Sequence, residues 1–142
     1  MIFENLATHI QQASSEGFQA GLSQMQPVYK QLQEDGKIFR ILATSRAGQF
    51  LSNRLIELFA ERIKNQIEAR FPAEQLIAPL EIIAYHMASA QVGLVNWWIE
   101  NDQPYSPEYM AQISIWLSLA GSVRGVGFEG SSIAPPPIPE NV

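Results

Sequence analysis

From Leu80 to Asn101 the sequence offers a helix that is apolar almost all round. At 100° per residue, Leu80, Ile83, Ala84, Met87, Gln91, Leu94 and Trp98 share one side. Ile82, His86, Ser89, Gly93 and Trp97 take the other, with Tyr85, Ala88, Val92 and Ile99 between. Pro79 is placed to open it, and at 1.5 Å per residue it spans roughly 33 Å. A helix of this kind is covered on both sides. In a chain of 142 residues it is either the central helix of the fold or a helix with one face on another chain. As a membrane span, the stretch Leu76 to Ile99 is poor, because Glu81, His86, Gln91 and Asn96 interrupt it.

The segments around it also read as helices. Phe3, Leu6, Ala7, Ile10 and Ala13 recur at spacings of three and four, predicting a helix over about 2–16 whose end Gly17 and Gly21 loosen. Pro27 is expected to open a second helix to Leu42, interrupted near Gly36, with 45–48 as a connection. From Gln49 to Arg70, Leu51, Leu55, Ile56, Leu58, Phe59, Ile63 and Ile67 form one face; Arg54, Glu57, Glu61, Lys64, Asn65 and Glu68 oppose it. Pro72 ends that helix, and a short helical turn to Ile77 follows. After a turn at 102–105, Ser106 is a fitting N-cap, with Pro107 in the first helical position and Glu108 in the first turn. The last helix, to about Ala120, carries Met110, Ile113, Trp116, Leu117 and Ala120, with Ile115 and Leu119 on another side. No period-2 strand, hairpin turn or internal repeat is evident. The fold class is therefore all-α, with a helical domain over 1–120 and an irregular Gly/Pro-rich tail over 121–142. The tail reads either as solvated chain or as a proline-rich recognition motif.

Charge and composition narrow the function. Of the nine basic residues, eight lie in the first seventy, beside seven acidic ones; beyond them Arg124 faces seven acidic residues. The net charge of −5 gives no broad footprint for a phosphate backbone or an anionic membrane. Without cysteine there is no disulfide, thiolate-held metal or thiol catalysis. The N-terminus has neither the basic nor the apolar region of a signal peptide, so a cytoplasmic protein is the simplest reading.

Catalytic and metal motifs are missing. His9 and His86 are far apart in sequence, and no zinc, Ca²⁺, phosphate-loop or nucleophile-elbow motif occurs. No enzyme, metal or cofactor is expected. His86 reads either as the polar contact of a small-molecule pocket or as a core or interface histidine with one hydrogen bond. Phe50, Phe59, Met87 and Trp98 read as pocket lining or as plain core, and Arg46 and Asn53 as ligand contacts or as exposed helix or loop positions. Gly93 in mid-helix costs up to about 1 kcal/mol relative to Ala, so close helix contact should offset it. Either a dimer seam or a helix of the same chain would supply that contact.

The run Gly93-Leu94-Val95-Asn96-Trp97-Trp98-Ile99-Glu100-Asn101, followed by Pro104-Tyr105-Ser106-Pro107-Glu108, resembles the C-terminal domain of TetR-family transcriptional regulators. Residues 37–43, Phe50-Leu51 and 55–62 resemble earlier helices of such domains, so that the likeness covers about residues 27–120. The resemblance implies a helical bundle that dimerises through its last two long helices. It also implies a small-molecule pocket in each subunit, whose occupation shifts attached DNA-reading heads. No basic recognition helix precedes this region, so DNA is expected to be reached only through a helix-turn-helix domain outside this sequence. On this reading the effector, a small apolar or aromatic molecule, meets Phe50, Phe59, Tyr85, His86 and Met87. Ser89, Gly93, Trp97, Ile113 and Trp116 form the homodimer seam. The alternative is a structural homodimerisation or protein-interaction module with no ligand.

Overall fold

In the computed structural model, described for the backbone of residues 2–122 and for Pro137 and Pro139, four α-helices and one 3-10 turn make up the fold. Side chains are described over residues 19–118, apart from Phe39, Leu42 and Ala43. The helices are α1 (Ile2–Ala43), α2 (Arg46–Arg70), α3 (Leu80–Glu100) and α4 (Pro107–Ser122). The 3-10 turn, Ala73–Gln75, follows Pro72, as the sequence predicts. Among the described residues there is no strand. The apolar face of residues 3–13 and most of the tail lie outside the described side chains.

The first 43 residues differ from expectation. Gly17, Gly21 and Pro27 do not end a helix; α1 runs through all three. A proline inside a helix costs about 3 kcal/mol, because it lacks the N–H and crowds the preceding turn. On the adjoining turns Met25, Tyr29 and Leu32 are buried on one face. Each such burial contributes roughly 1.5–3 kcal/mol, so together they outweigh the proline. Gly21 serves close packing instead. A Cβ there would stand 2.9 Å from Ile115 Cδ1, so α1 meets α4 closely enough that any side chain would have to displace Ile115.

The expected interruption near Gly36 is present as a kink, with Asp35 at φ −104° and ψ 15°. A straight helix reserves the Leu32 carbonyl for the amide of Gly36; here it accepts from Gln103 Nε2 at 3.2 Å. The Gln103 amide fills the space that a Cβ on Gly36 would need. Gln103 belongs to the turn after α3, which closes as a Schellman motif. Its N–H donates to the Trp98 carbonyl at 2.8 Å, and that of Asp102 to the Ile99 carbonyl at 3.3 Å. Asp102 and Gln103 both take left-handed backbone angles, φ 62° and 53°. Arg40 and Asp102 add an exposed ion pair at 2.6 Å.

The 45–48 segment is not a connection. Ser45 is the N-cap of α2, its hydroxyl accepting from Gly48 N–H at 3.1 Å, and the helix starts at Arg46. Ser106 caps α4 as expected, accepting from Tyr109 N–H at 3.1 Å.

α2 packs mainly on α3 and α1 mainly on α4, while α1 also meets α2 and α3. Two apolar cores result. One joins Met25, Tyr29 and Leu32 of α1 to Val95, Trp98 and Ile99 of α3 and to Met110, Ala111 and Ile115 of α4. The other joins Ile63 and Ile67 of α2 to Ile83, Ala84 and Ala88 of α3. Phe59 packs against both. α3 is thus central, as its composition requires, yet only one of its sides is covered within the chain.

Candidate ligand cavity and exposed helix face

Trp98 anchors the middle of the molecule. It has no solvent exposure, meets Tyr29 edge-on with ring centroids 5.1 Å apart, and donates from Nε1 to the Tyr105 carbonyl at 2.9 Å. The Tyr29 hydroxyl is also shut in, without a hydrogen bond. Burial pushes its pKa well above the ordinary phenol value of 10.0. Ser114 is near enough to pull it back slightly, but not in hydrogen-bond geometry; its hydroxyl donates to the Ala111 carbonyl at 3.0 Å.

Beside this anchor lies a cavity of about 620 Å³ between α1, α2 and α3, open to solvent on one side. α1 contributes Pro27, Val28, Gln31 and Leu32; α2 contributes Gly48, Leu51, Ser52, Leu55 and Phe59; α3 contributes Val92, Val95, Asn96 and Ile99. Its volume lies in the range that encloses a drug-sized molecule. The wall is apolar except for three side chains. Asn96 Nδ2 donates to Ser52 Oγ at 3.2 Å, which ties α3 to α2 across the wall. The exposed Gln31 amide is bonded to the Asp35 carboxylate. No Asp, Glu, Lys, Arg or His lines the cavity among the described residues.

Of the five residues expected to meet a ligand, only Phe59 lines this cavity. Phe50 is 74% exposed on the surface of α2. Tyr85 is 58% exposed and His86 is exposed, both beside a shallow surface groove with Glu81, Ile82 and Ser89. Met87 is half-buried and shares a 220 Å³ recess between α3 and α4 with His86, Gln91, Leu94, Ser114, Leu117 and others. The cavity residues of α3 lie one to three turns further on, where the helix faces α1 and α2. Sequence reading missed Ser52 and Asn96. A polar residue on the apolar run of α3, and a serine beside Leu51 on the apolar side of α2, were the signals that could have marked them.

The other side of α3 is uncovered. Ile82, His86, Gly93 and Trp97 are exposed along one stripe, and Ser89 is half-buried beside it. Around Gly93, no described side chain comes within 4 Å of where a Cβ would sit, so no described neighbour accounts for this glycine. On α4, Leu117 is 52% exposed, while Ile113 and Trp116 are half-buried. Ile82 at 62% and Trp97 at 44% make the stripe apolar as well as open.

No group of three or more His, Asp or Glu side chains is placed to hold a metal among the described residues. No described helix is long and apolar enough to cross a membrane.

An all-α domain with an apolar cavity among its helices and an uncovered face on its central helix is the class that emerges. Residues 22–118, more than half of the chain, match a TetR-type family model described as the transcriptional regulator C-terminal region. The chain belongs to this family, whose members are regulators of transcription and not enzymes. It matches no curated protein and no solved structure.

Proposed function

We propose that this domain senses a small molecule and dimerises, as the regulatory half of a TetR-like transcription factor. The observation that carries the reading is the separation of two apolar surfaces on α3. One faces the cavity through Val92, Val95, Asn96 and Ile99. The other, through Ile82, Gly93 and Trp97, is exposed and meets no described side chain at Gly93. A ligand on the first side presses on α1 and α2, which reach toward any attached head; a partner on the second side fixes where two such heads stand. The mechanism is population shift, in which the ligand favours one arrangement of helices and so one spacing of the heads. Since a regulator of transcription works beside its DNA, the reading carries a cytoplasmic location with it.

The dimer seam takes Ser89, Gly93 and Trp97 from α3 and Ile113 and Trp116 from α4, with Ile82, Tyr85, His86 and Leu117 added because they are exposed beside it. The effector site takes Phe59 and the cavity wall. Native mass spectrometry tests the first half: a species at twice 15.9 kDa is expected. A Gly93→Trp variant should be monomeric at micromolar concentration, and one that stays dimeric sinks the seam. For the second half, apolar compounds that enter the cavity should raise Tm. A flat response across a broad apolar and aromatic panel, with the dimer intact, would favour the purely structural dimerisation module.

A further inference from the structure

We infer that the effector is an uncharged, largely apolar molecule carrying a single carbonyl or hydroxyl oxygen, seated against Asn96 and Ser52. The inference rests on reading the cavity as the effector site, and adds its chemical class. Three features of the wall lead to it. First, the described lining holds no ionisable side chain, so a carboxylate, phosphate or ammonium group inside would lose water and gain no countercharge. Arg54, on the same turns of α2, is exposed and paired with Glu57 at 2.9 Å; Arg40, further along α1, is paired with Asp102. Neither lines the cavity.

Second, the polar groups in the wall form one place rather than several. Asn96 and Ser52 are both half-buried and bonded to each other at 3.2 Å. Gln31, the third, is exposed and engaged by Asp35. One polar locus on an apolar wall suits a ligand with one polar group in the enclosed part of the cavity, since a second one away from the open side would be buried unpaired.

Third, the pair has capacity to spare. Asn96 spends one amide N–H on Ser52 and keeps the other, together with its own oxygen; Ser52 keeps its hydroxyl proton. Donors and an acceptor therefore stand side by side. A carbonyl oxygen can accept from them, and a hydroxyl can both accept and donate.

Matched probes decide the matter. The 2-alkanones of six to twelve carbons are titrated calorimetrically into the purified chain, beside the carboxylates in which an O⁻ replaces the terminal methyl and the alkylammonium ions of equal length. At least one ketone should bind, and its carboxylate and ammonium counterparts should bind about a hundredfold more weakly. Asn96→Leu, near in shape, should weaken the ketone about tenfold. Ser52→Ala should weaken it in the same direction, and serves where Asn96→Leu fails to fold. A carboxylate or ammonium probe that binds as well as the ketone overturns the neutral class while leaving the cavity as the effector site. Ketone binding unchanged in both variants overturns the polar seat. If no probe of any charge binds, the effector-site reading falls and this inference with it.

Discussion

Tyr29 is a polar compromise inside the core. Its ring is fully buried against Trp98, but its hydroxyl finds no hydrogen bond. An unpaired buried hydroxyl costs about 1–3 kcal/mol, whereas removing it leaves the ring's packing untouched. Tyr29→Phe should therefore match or exceed the wild type in urea denaturation, by up to about 1 kcal/mol. The same burial raises the phenol's pKa in the folded state. Above pH 10 the unfolded chain releases this proton while the folded chain holds it, so stability falls as pH rises. The slope is about 1.4 kcal/mol per pH unit for one group. Tyr29→Phe should lose that part of the alkaline slope and keep its stability below pH 10; an unchanged slope would count against the buried phenol. Trp98 is the opposite case, with ring and N–H both satisfied. Trp98→Ala should cost about 3–5 kcal/mol by the same assay.

Between elements, two glycines and two left-handed residues set up paired comparisons. Gly21 sits where a Cβ would have to displace the Ile115 side chain, and Gly93 has no described neighbour within 4 Å. Alanine gains about 1 kcal/mol of helix propensity over glycine at either position. At Gly93 no described residue opposes that gain. At Gly21 it meets a buried neighbour, and displacing such a side chain costs typically 1–3 kcal/mol. Monomer stability should thus rise for Gly93→Ala and fall for Gly21→Ala. In the turn after α3, glycine should be neutral or stabilising at Asp102, where the exposed ion pair to Arg40 is worth at most about 1 kcal/mol. It should destabilise at Gln103, whose side chain serves the Leu32 carbonyl at the kink. Equal effects at the two sites would contradict the role given to Gln103. These pairs also mark what was legible in the sequence. The bounds of α3, the 3-10 turn, the Ser106 cap and the break near Gly36 follow from local rules. The run of α1 through Gly21 and Pro27 does not, because its cause is the α4 surface, supplied by residues more than eighty positions away in the chain.

At the scale of the whole molecule, the uncovered stripe of α3 should govern assembly and the cavity should govern response. Trp97→Glu puts a charge on the C-terminal end of that stripe and should shift a dimer toward monomer in sedimentation, with helicity by circular dichroism preserved. A variant that stays dimeric would move the seam elsewhere. The stripe was legible because surplus apolar surface on one helix can be counted along the sequence. The cavity was not, since three helices contribute its wall and no spacing within one of them reports where the others stand. Phe59 was found and Asn96 missed for this reason. One feature of that wall has a mechanical side. Pro27 leaves α1 one backbone hydrogen bond short where the cavity touches it. From there to Ile2 the helix is a rod of 25 residues, roughly 37 Å long. A bend of only about 10° at the proline would swing its far end by about 6 Å on that length. On the proposed reading of the cavity as the effector site, α1 is a lever with its fulcrum at the ligand, and a small movement beside Pro27 arrives at the other end as a displacement of several ångströms.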